Sequence, residues 1–170
     1  MAFVVEDGTG KPDANSYASV ADADAYFNER GITAWTGTTD EKQSYLIRAT
    51  DYIEGRFSER FIGSVKVADQ ALSWPRMGAG DILDTVIPIK LQRACFEYAL
   101  RAKTAALAPD LQVDASGLSV VATKKKVGPI ETEYAVAQTG LGSSPMLFRP
   151  YPAADMLLRG LVYSSSQVIR

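Results

Sequence analysis

The chain has 170 residues, 46% apolar and 22% charged, with a formal net charge of −2, no histidine and one cysteine, Cys95. That length supports one domain with a single substantial core. One cysteine rules out an internal disulfide and fits a reducing compartment, and the mild acidity argues against a generally basic nucleic-acid binder.

No apolar run approaches the roughly 20 residues that span a bilayer, so no membrane is expected. Residues 1–7 have neither the basic nor the apolar region of a secretory signal. The charge is uneven: residues 1–60 carry 11 acidic and 6 basic side chains, whereas residues 61–170 carry 9 and 12. These are either ordinary solvated faces or the acidic and basic ends of a molecule that assembles head to tail.

In chain order, Asp7 to Ser16 is rich in Gly, Asp, Asn and Pro and reads as an exposed loop or arm. Ser19 is a good N-cap for a first helix running to about Arg30, with Asp22 and Asp24 in the dipole-favoured first turn and Gly31 as the residue that ends it. Ala23, Tyr26 and Phe27 share a face. Thr38 and Glu41 have capping-box spacing, and Tyr45, Leu46, Ala49, Tyr52 and Ile53 recur at helical spacing, which predicts a second helix from about Asp40 to Arg56. Arg48, Asp51 and Glu54 lie off its apolar stripe. Phe57 to Val86 shows no long periodicity; its aromatics should anchor it on the helices, and Pro75 forbids a central strand.

Pro88 suits the first position of a third helix. Its stripe is Ile87, Leu91, Ala94, Cys95, Tyr98, Ala99 and Ala102, and it is expected to end near Ala106, before Pro109. Leu118–Ala122 and Ile130–Val136 favour strands, with Lys124 to Pro129 between them, so residues 118–136 read as a β-hairpin or bent ribbon. Gln138 to Pro145 is a Gly/Ser loop. Pro152 opens a short last helix through about Leu158, closed by Gly160. The expected fold is mainly α: a small antiparallel bundle of three to four helices with a hairpin, forming one domain over residues 1–160, and an extended C-terminal tail, 161–170.

Little in the composition supports chemistry. Metal sites need His, Cys or clustered carboxylates, and this chain offers none, so no metal or other cofactor is expected. Cys95 sits on an apolar stripe and reads as a buried core thiol, not a nucleophile; no catalytic residue is expected and the protein is not read as an enzyme. Gly8–Lys11 and Gly78–Gly80 are only fragments of a phosphate-binding loop.

Candidate partner-binding residues are Lys124, Lys125 and Lys126, and Val162, Tyr163, Val168 and Ile169. The lysines are either a phosphate contact or a solvated hairpin edge. The tail is either a frayed terminus or a strand that adds to a partner's sheet. Tyr17, Tyr26, Phe27, Trp35 and Trp74 could stack on bases, but their spacing fits core packing better.

Three stretches in order carry a family resemblance: Ser16 to Phe27 followed by Trp35; Ala71-Leu72-Ser73-Trp74-Pro75-Arg76; and Ile87-Pro88 leading into Ala94 to Leu100. With Lys125 to Pro129 and Tyr151-Pro152, they make the chain, over roughly residues 2–163, similar to head–tail connector proteins of tailed bacteriophages. Such sequences are also often labelled DnaT-like single-stranded-DNA-binding proteins.

The connector resemblance implies a structural protein of the virion neck, made in the host cytoplasm. It would bind the portal protein, form a ring with itself, typically of twelve copies, and dock the next tail-side completion or stopper protein. DNA would pass through the channel without sequence-specific binding. The alternative is a single-stranded-DNA-binding replication accessory protein, which would need a basic groove and steep salt dependence.

Overall fold

The computed structural model describes residues 2–109 and 149–163, with the backbone of Lys125–Val127 and Ile130–Thr132. The chain divides into two compact units, Met1–Leu107 with Pro150–Arg170, and Ala108–Arg149. The fold is mainly helical. The first unit holds α1 (Val20–Glu29), α2 (Thr39–Phe57), α3 (Ile89–Ala102) and α4 (Pro152–Leu158), with a single 3-10 turn at Ser58–Arg60.

Each helix starts where local chemistry dictates. The Ser19 hydroxyl accepts from the Asp22 N–H at 3.1 Å and caps α1. Thr38 and Glu41 form the reciprocal box of α2: the Glu41 N–H reaches Thr38 Oγ1 at 3.3 Å and the Thr38 N–H reaches Glu41 Oε2 at 2.7 Å. Losing such a cap costs about 1 kcal/mol. Pro152 occupies the first turn of α4. Pro88, expected inside α3, instead stands just before it as the N-cap residue. That helix also stops at Ala102, short of the expected Ala106. The Lys103 N–H still bonds back to Ala99, while the Thr104 and Ala105 N–H groups both turn to the Arg101 carbonyl, so regular winding ends there.

The core lies between α2 and α3. Leu46, Ala49, Thr50, Tyr52, Ile53 and Phe57 are buried on one side, and Leu91, Ala94, Cys95, Phe96, Tyr98, Ala99 and Ala102 on the other. Full burial of each large apolar side chain contributes about 1.5–3 kcal/mol, and the alanines let the helix backbones approach. Phe96, outside the expected stripe, joins Tyr26 and Phe27 of α1 with ring centroids 5.1 and 6.4 Å away. Trp35 covers Phe27 at 5.0 Å.

Helix α4 is held at a shared carboxylate. Asp155 accepts from the Tyr98 hydroxyl, from Arg56 Nη1 at 3.0 Å and from the Tyr151 N–H at 3.1 Å. The Tyr151 hydroxyl donates to the Leu107 carbonyl at 3.0 Å, pinning the two points where the chain leaves this unit and returns to it.

The segment after α2 is irregular but strongly organised. Strands β1 (Ser64–Val65) and β2 (Arg76–Met77) pair antiparallel, Ser64 opposite Met77 and Val65 opposite Arg76. The buried Arg76 guanidinium ties the segment together through the Ile62, Gly63 and Ser73 carbonyls at 2.8, 2.7 and 3.2 Å. The Trp74–Pro75 peptide is cis. Trp74 is fully buried, edge-on to Phe61 at 6.0 Å, so these two aromatics pack on each other within the segment.

In the second unit, β3 (Lys125–Val127) pairs antiparallel with β4 (Ile130–Thr132). The hairpin therefore starts within the lysine run and not before it; the Val127–Ile130 pair leaves only Gly128-Pro129 between the strands. The proposed strand at Leu118–Ala122 and the tail from Ser164 onward lie outside the described residues.

The N-terminal segment is not an exposed arm. Glu6 is buried, and its carboxylate accepts the backbone N–H groups of Gly8, Gly10 and Lys11 at 2.9, 2.9 and 2.8 Å. The turn so formed sits against Thr85: a Cβ on Gly8 would lie 1.9 Å from the Thr85 carbonyl oxygen, at a φ of +97°. At Gly31, by contrast, φ is +63° and a Cβ would meet open space. Gly31→Ala should therefore cost about 1 kcal/mol, the left-handed backbone penalty alone. Gly8→Ala should cost about 3 kcal/mol, since the turn must also move. Urea unfolding of the two variants checks the difference; equal losses would show that the turn does not press on Thr85.

Candidate partner-docking site

Buried polar atoms tie the segments of the first unit together, with Trp74 Nε1 the one buried side-chain polar atom among the described residues left without a partner. The Tyr17 hydroxyl donates to Glu54 and accepts from the Trp74 N–H at 3.2 Å, while the other Glu54 oxygen takes the Ser73 N–H at 3.1 Å and hydroxyl at 2.6 Å. Burial, then the Glu54 charge, pushes the Tyr17 pKa well above the ordinary tyrosine value, which keeps this hydroxyl a donor. Glu54 lies off the apolar stripe, yet it is half-buried, because it reaches across to this junction.

Cys95 is fully buried, 3.5 Å from the Thr50 hydroxyl, and burial raises its thiol from an ordinary 9 to about 12. A thiol held neutral in this way is a poor nucleophile. Among the described residues no group of three or more His, Cys, Asp or Glu could hold a metal, and no helix is long and apolar enough to cross a membrane.

Two concavities stand out among the described residues. One, about 260 Å³, lies between the end of α1 and Trp35. Its polar groups satisfy each other: Asp24 accepts from Trp35 Nε1 at 2.7 Å and Lys42 Nζ at 2.9 Å. The other, about 450 Å³, is an open apolar cleft between the Asp81–Lys90 segment and Gly160–Leu161. Leu83 at its rim is 69% exposed and Ile89 61%, with Val86 between them at 42%. Aliphatic side chains at that exposure are in water without a structural reason, and grouping them around a cleft marks a contact surface. Lys90 and Asp81 flank it with opposite charges.

Ten of the described aromatics are buried: Tyr17, Phe27, Trp35, Tyr52, Phe57, Phe61, Trp74, Phe96, Tyr98 and Tyr151. Only Tyr163 among them all is exposed. Tyr26 is half-buried, with the Arg30 guanidinium stacked on it at 3.6 Å and its hydroxyl donating to Glu97 at 2.9 Å. Acidic Glu97 also pairs with Arg101 at 2.7 Å, so this face alternates in sign and forms no basic groove.

The partner-binding candidates from the sequence fall in different places. Lys125 and Lys126 lie in β3, opposite Thr132 and Glu131; Lys124 lies outside the described residues, as do Val168 and Ile169. Val162 is half-buried and pairs with Phe61, and the Tyr163 N–H donates to the Arg60 carbonyl at 2.8 Å. The tail thus begins as a short antiparallel pairing beside the cleft, where Leu161 is part of the wall. Sequence reasoning missed Leu83, Val86 and Ile89. The available signal was Ile89, an aliphatic residue in the first turn of α3 that does not fall on its apolar stripe.

Among known families, a model described as "Putative DnaT-like ssDNA binding protein" matches residues 1–170. No curated protein and no solved structure matches. Of the two functions weighed from the sequence, this description favours the single-stranded-DNA-binding one, and it says nothing of a connector.

The thiol offers a check on the packing described here. Because the folded pKa is raised, the Cys95 contribution to stability is intact below pH 9 and is lost as pH climbs through about 12. At pH 8 the native chain should leave a disulfide reagent unreacted, and labelling should follow unfolding. Stoichiometric labelling of folded protein would contradict the burial of Cys95.

Proposed function

The chain belongs to the DnaT-like ssDNA binding protein family, and we propose that within it this protein works by docking on other proteins, as a structural head–tail connector. The observation that carries this is the distribution of its apolar surface. Ten of the described aromatic rings are in the core, and among the large apolar side chains left in water Leu83, Val86 and Ile89 gather at one aliphatic cleft. Aliphatic side chains around a concave floor suit a protein segment. They offer nothing to a phosphate backbone, whose binding depends on clustered cations.

In this role the first unit is a rigid body that presents the cleft to the portal or to the tail-side protein, and no covalent chemistry is involved. Ring formation, the portal as partner and a place in the virion neck come from the sequence resemblance, and the exposed cleft is compatible with them.

Single-stranded-DNA binding is the second reading, favoured by the family description. The place for it is the α1–α3 face, where Arg30 lies flat on Tyr26 near Arg93. Its mixed charges argue for weak attachment.

Two measurements separate the readings. With a single-stranded oligonucleotide at physiological salt, the docking role predicts a dissociation constant above roughly 100 μM, the weak end of non-specific binding. A submicromolar, steeply salt-dependent constant, lost in Arg30→Glu, would establish the second reading instead. With the cognate portal, the protein should co-sediment, and Leu83→Asp with Ile89→Asp should weaken that association by about tenfold or more, the effect of removing a central apolar contact. Undiminished portal binding by the double variant would remove the cleft from the interface.

A further inference from the structure

We propose that the loop from Glu6 to Lys11 is an oxyanion-binding nest that the chain fills with its own Glu6 carboxylate, an autoinhibitory contact that shuts inorganic phosphate out. Three observations combine. First, the donors converge. The Gly8 and Gly10 N–H groups both reach Glu6 Oε1 at 2.9 Å, and the Lys11 N–H reaches Glu6 Oε2 at 2.8 Å. Gly8 and Gly10 hold φ of +97° and +84°, with Thr9 between them at negative φ. That alternation turns backbone N–H groups toward one concavity, as in phosphate-binding loops. The Thr9 N–H takes a different carboxylate, Asp7 Oδ1 at 3.1 Å.

Second, the surroundings are cationic. Lys11 Nζ donates to the Val5 carbonyl at 2.9 Å and pairs with Asp7 Oδ2 at 2.9 Å, while Lys66 Nζ donates to the Gly8 carbonyl at 3.1 Å. Without Glu6, the loop keeps Asp7 against two ammonium groups and three N–H groups that need an acceptor. Buried donors without an acceptor are costly, and a charged acceptor satisfies them best.

Third, the occupant is built in. Glu6 is 2% exposed, and Gly8 and Gly10 are buried with it. A carboxylate tethered next to its donors outcompetes dissolved anions through its effective concentration. Gly8-Thr9-Gly10-Lys11 is therefore a phosphate-loop fragment whose cradle is already taken. The next helix begins only at Val20, so the nest suits one oxyanion group and not the phosphate chain of a nucleotide. The inference stands apart from the docking role, since the loop and the cleft share no residue.

The test uses full-length Glu6→Ala beside the wild type, unfolded in urea with sodium acetate, sodium phosphate or sodium chloride at matched ionic strength. The substitution removes Cγ, Cδ and both carboxylate oxygens, the atoms that acetate supplies. The variant should be less stable than the wild type in chloride. Acetate and phosphate should each raise its folding constant saturably, by about tenfold at about a tenfold excess over the dissociation constant. The wild type, its nest filled, should show no saturable response, and its behaviour in the same salts subtracts their general effect on burial. Glu6→Gln keeps the cavity full, so neither anion should help it.

Amide NMR of Gly8, Gly10 and Lys11 gives a second readout: in Glu6→Ala, acetate should shift all three with one dissociation constant. If Glu6→Ala is unfolded in chloride, saturable recovery of its helical circular dichroism on adding acetate is the expected result. No saturable effect of either anion on Glu6→Ala, rescue by acetate without phosphate, or equal rescue of Glu6→Gln would each overturn the proposal.

Discussion

One junction sets the rest of the first unit in place: the Glu54 carboxylate, shared between Tyr17 ahead of α1 and Ser73 in the segment after α2. Through the Tyr17 hydroxyl it reaches the backbone of Trp74, and through Thr50 the same cluster reaches Cys95 on α3. Four parts of the chain that are distant in sequence therefore meet at a few buried polar atoms. Buried polar groups stabilise only when satisfied, and leaving one unpaired costs about 1–3 kcal/mol. Each of these segments is thus held by the others, and an irregular stretch of some 30 residues behaves as part of the core.

The consequence for function is that most aromatic side chains among the described residues are occupied. Trp74 and Phe61 fasten the irregular segment, Tyr52, Tyr98 and Tyr151 fasten α4, and Trp35 closes over Phe27. A single-strand binder needs rings free to stack and a line of cations. This surface instead gathers Leu83, Val86 and Ile89 at one cleft and carries charges of mixed sign on the α1–α3 face. The family description names single-stranded DNA, whereas the described surface carries an exposed aliphatic cleft and charges of mixed sign.

The helices were legible in the sequence because their signals are local. Ser19, the Thr38–Glu41 box, Pro152 and the spacing of Leu46, Ala49, Ile53 or Leu91, Ala94, Tyr98 each act within a turn or two of helix. The rest depended on distance. Glu6 gathers N–H groups only two to five residues ahead, but what makes that apparent arm a packed loop is Thr85, against which the turn sits. Glu54 reads as a solvated helix position until Tyr17 and Ser73 arrive from elsewhere. The cleft was hidden for the same reason, since Leu83 and Ile89 become a surface only when Gly160 and Leu161 are brought beside them. Cys95 was legible as a core thiol because its stripe position and its burial are the same fact.

The most direct measurement of the central claim is hydrogen exchange of the full-length chain with and without its portal, and separately with a single-stranded oligonucleotide. Docking through the aliphatic cleft predicts portal-dependent protection confined to residues 81–90 and 160–163, with no change on adding DNA. Protection by DNA along α1 and α3 around Arg30 and Arg93, with the cleft unaltered by portal, would contradict it.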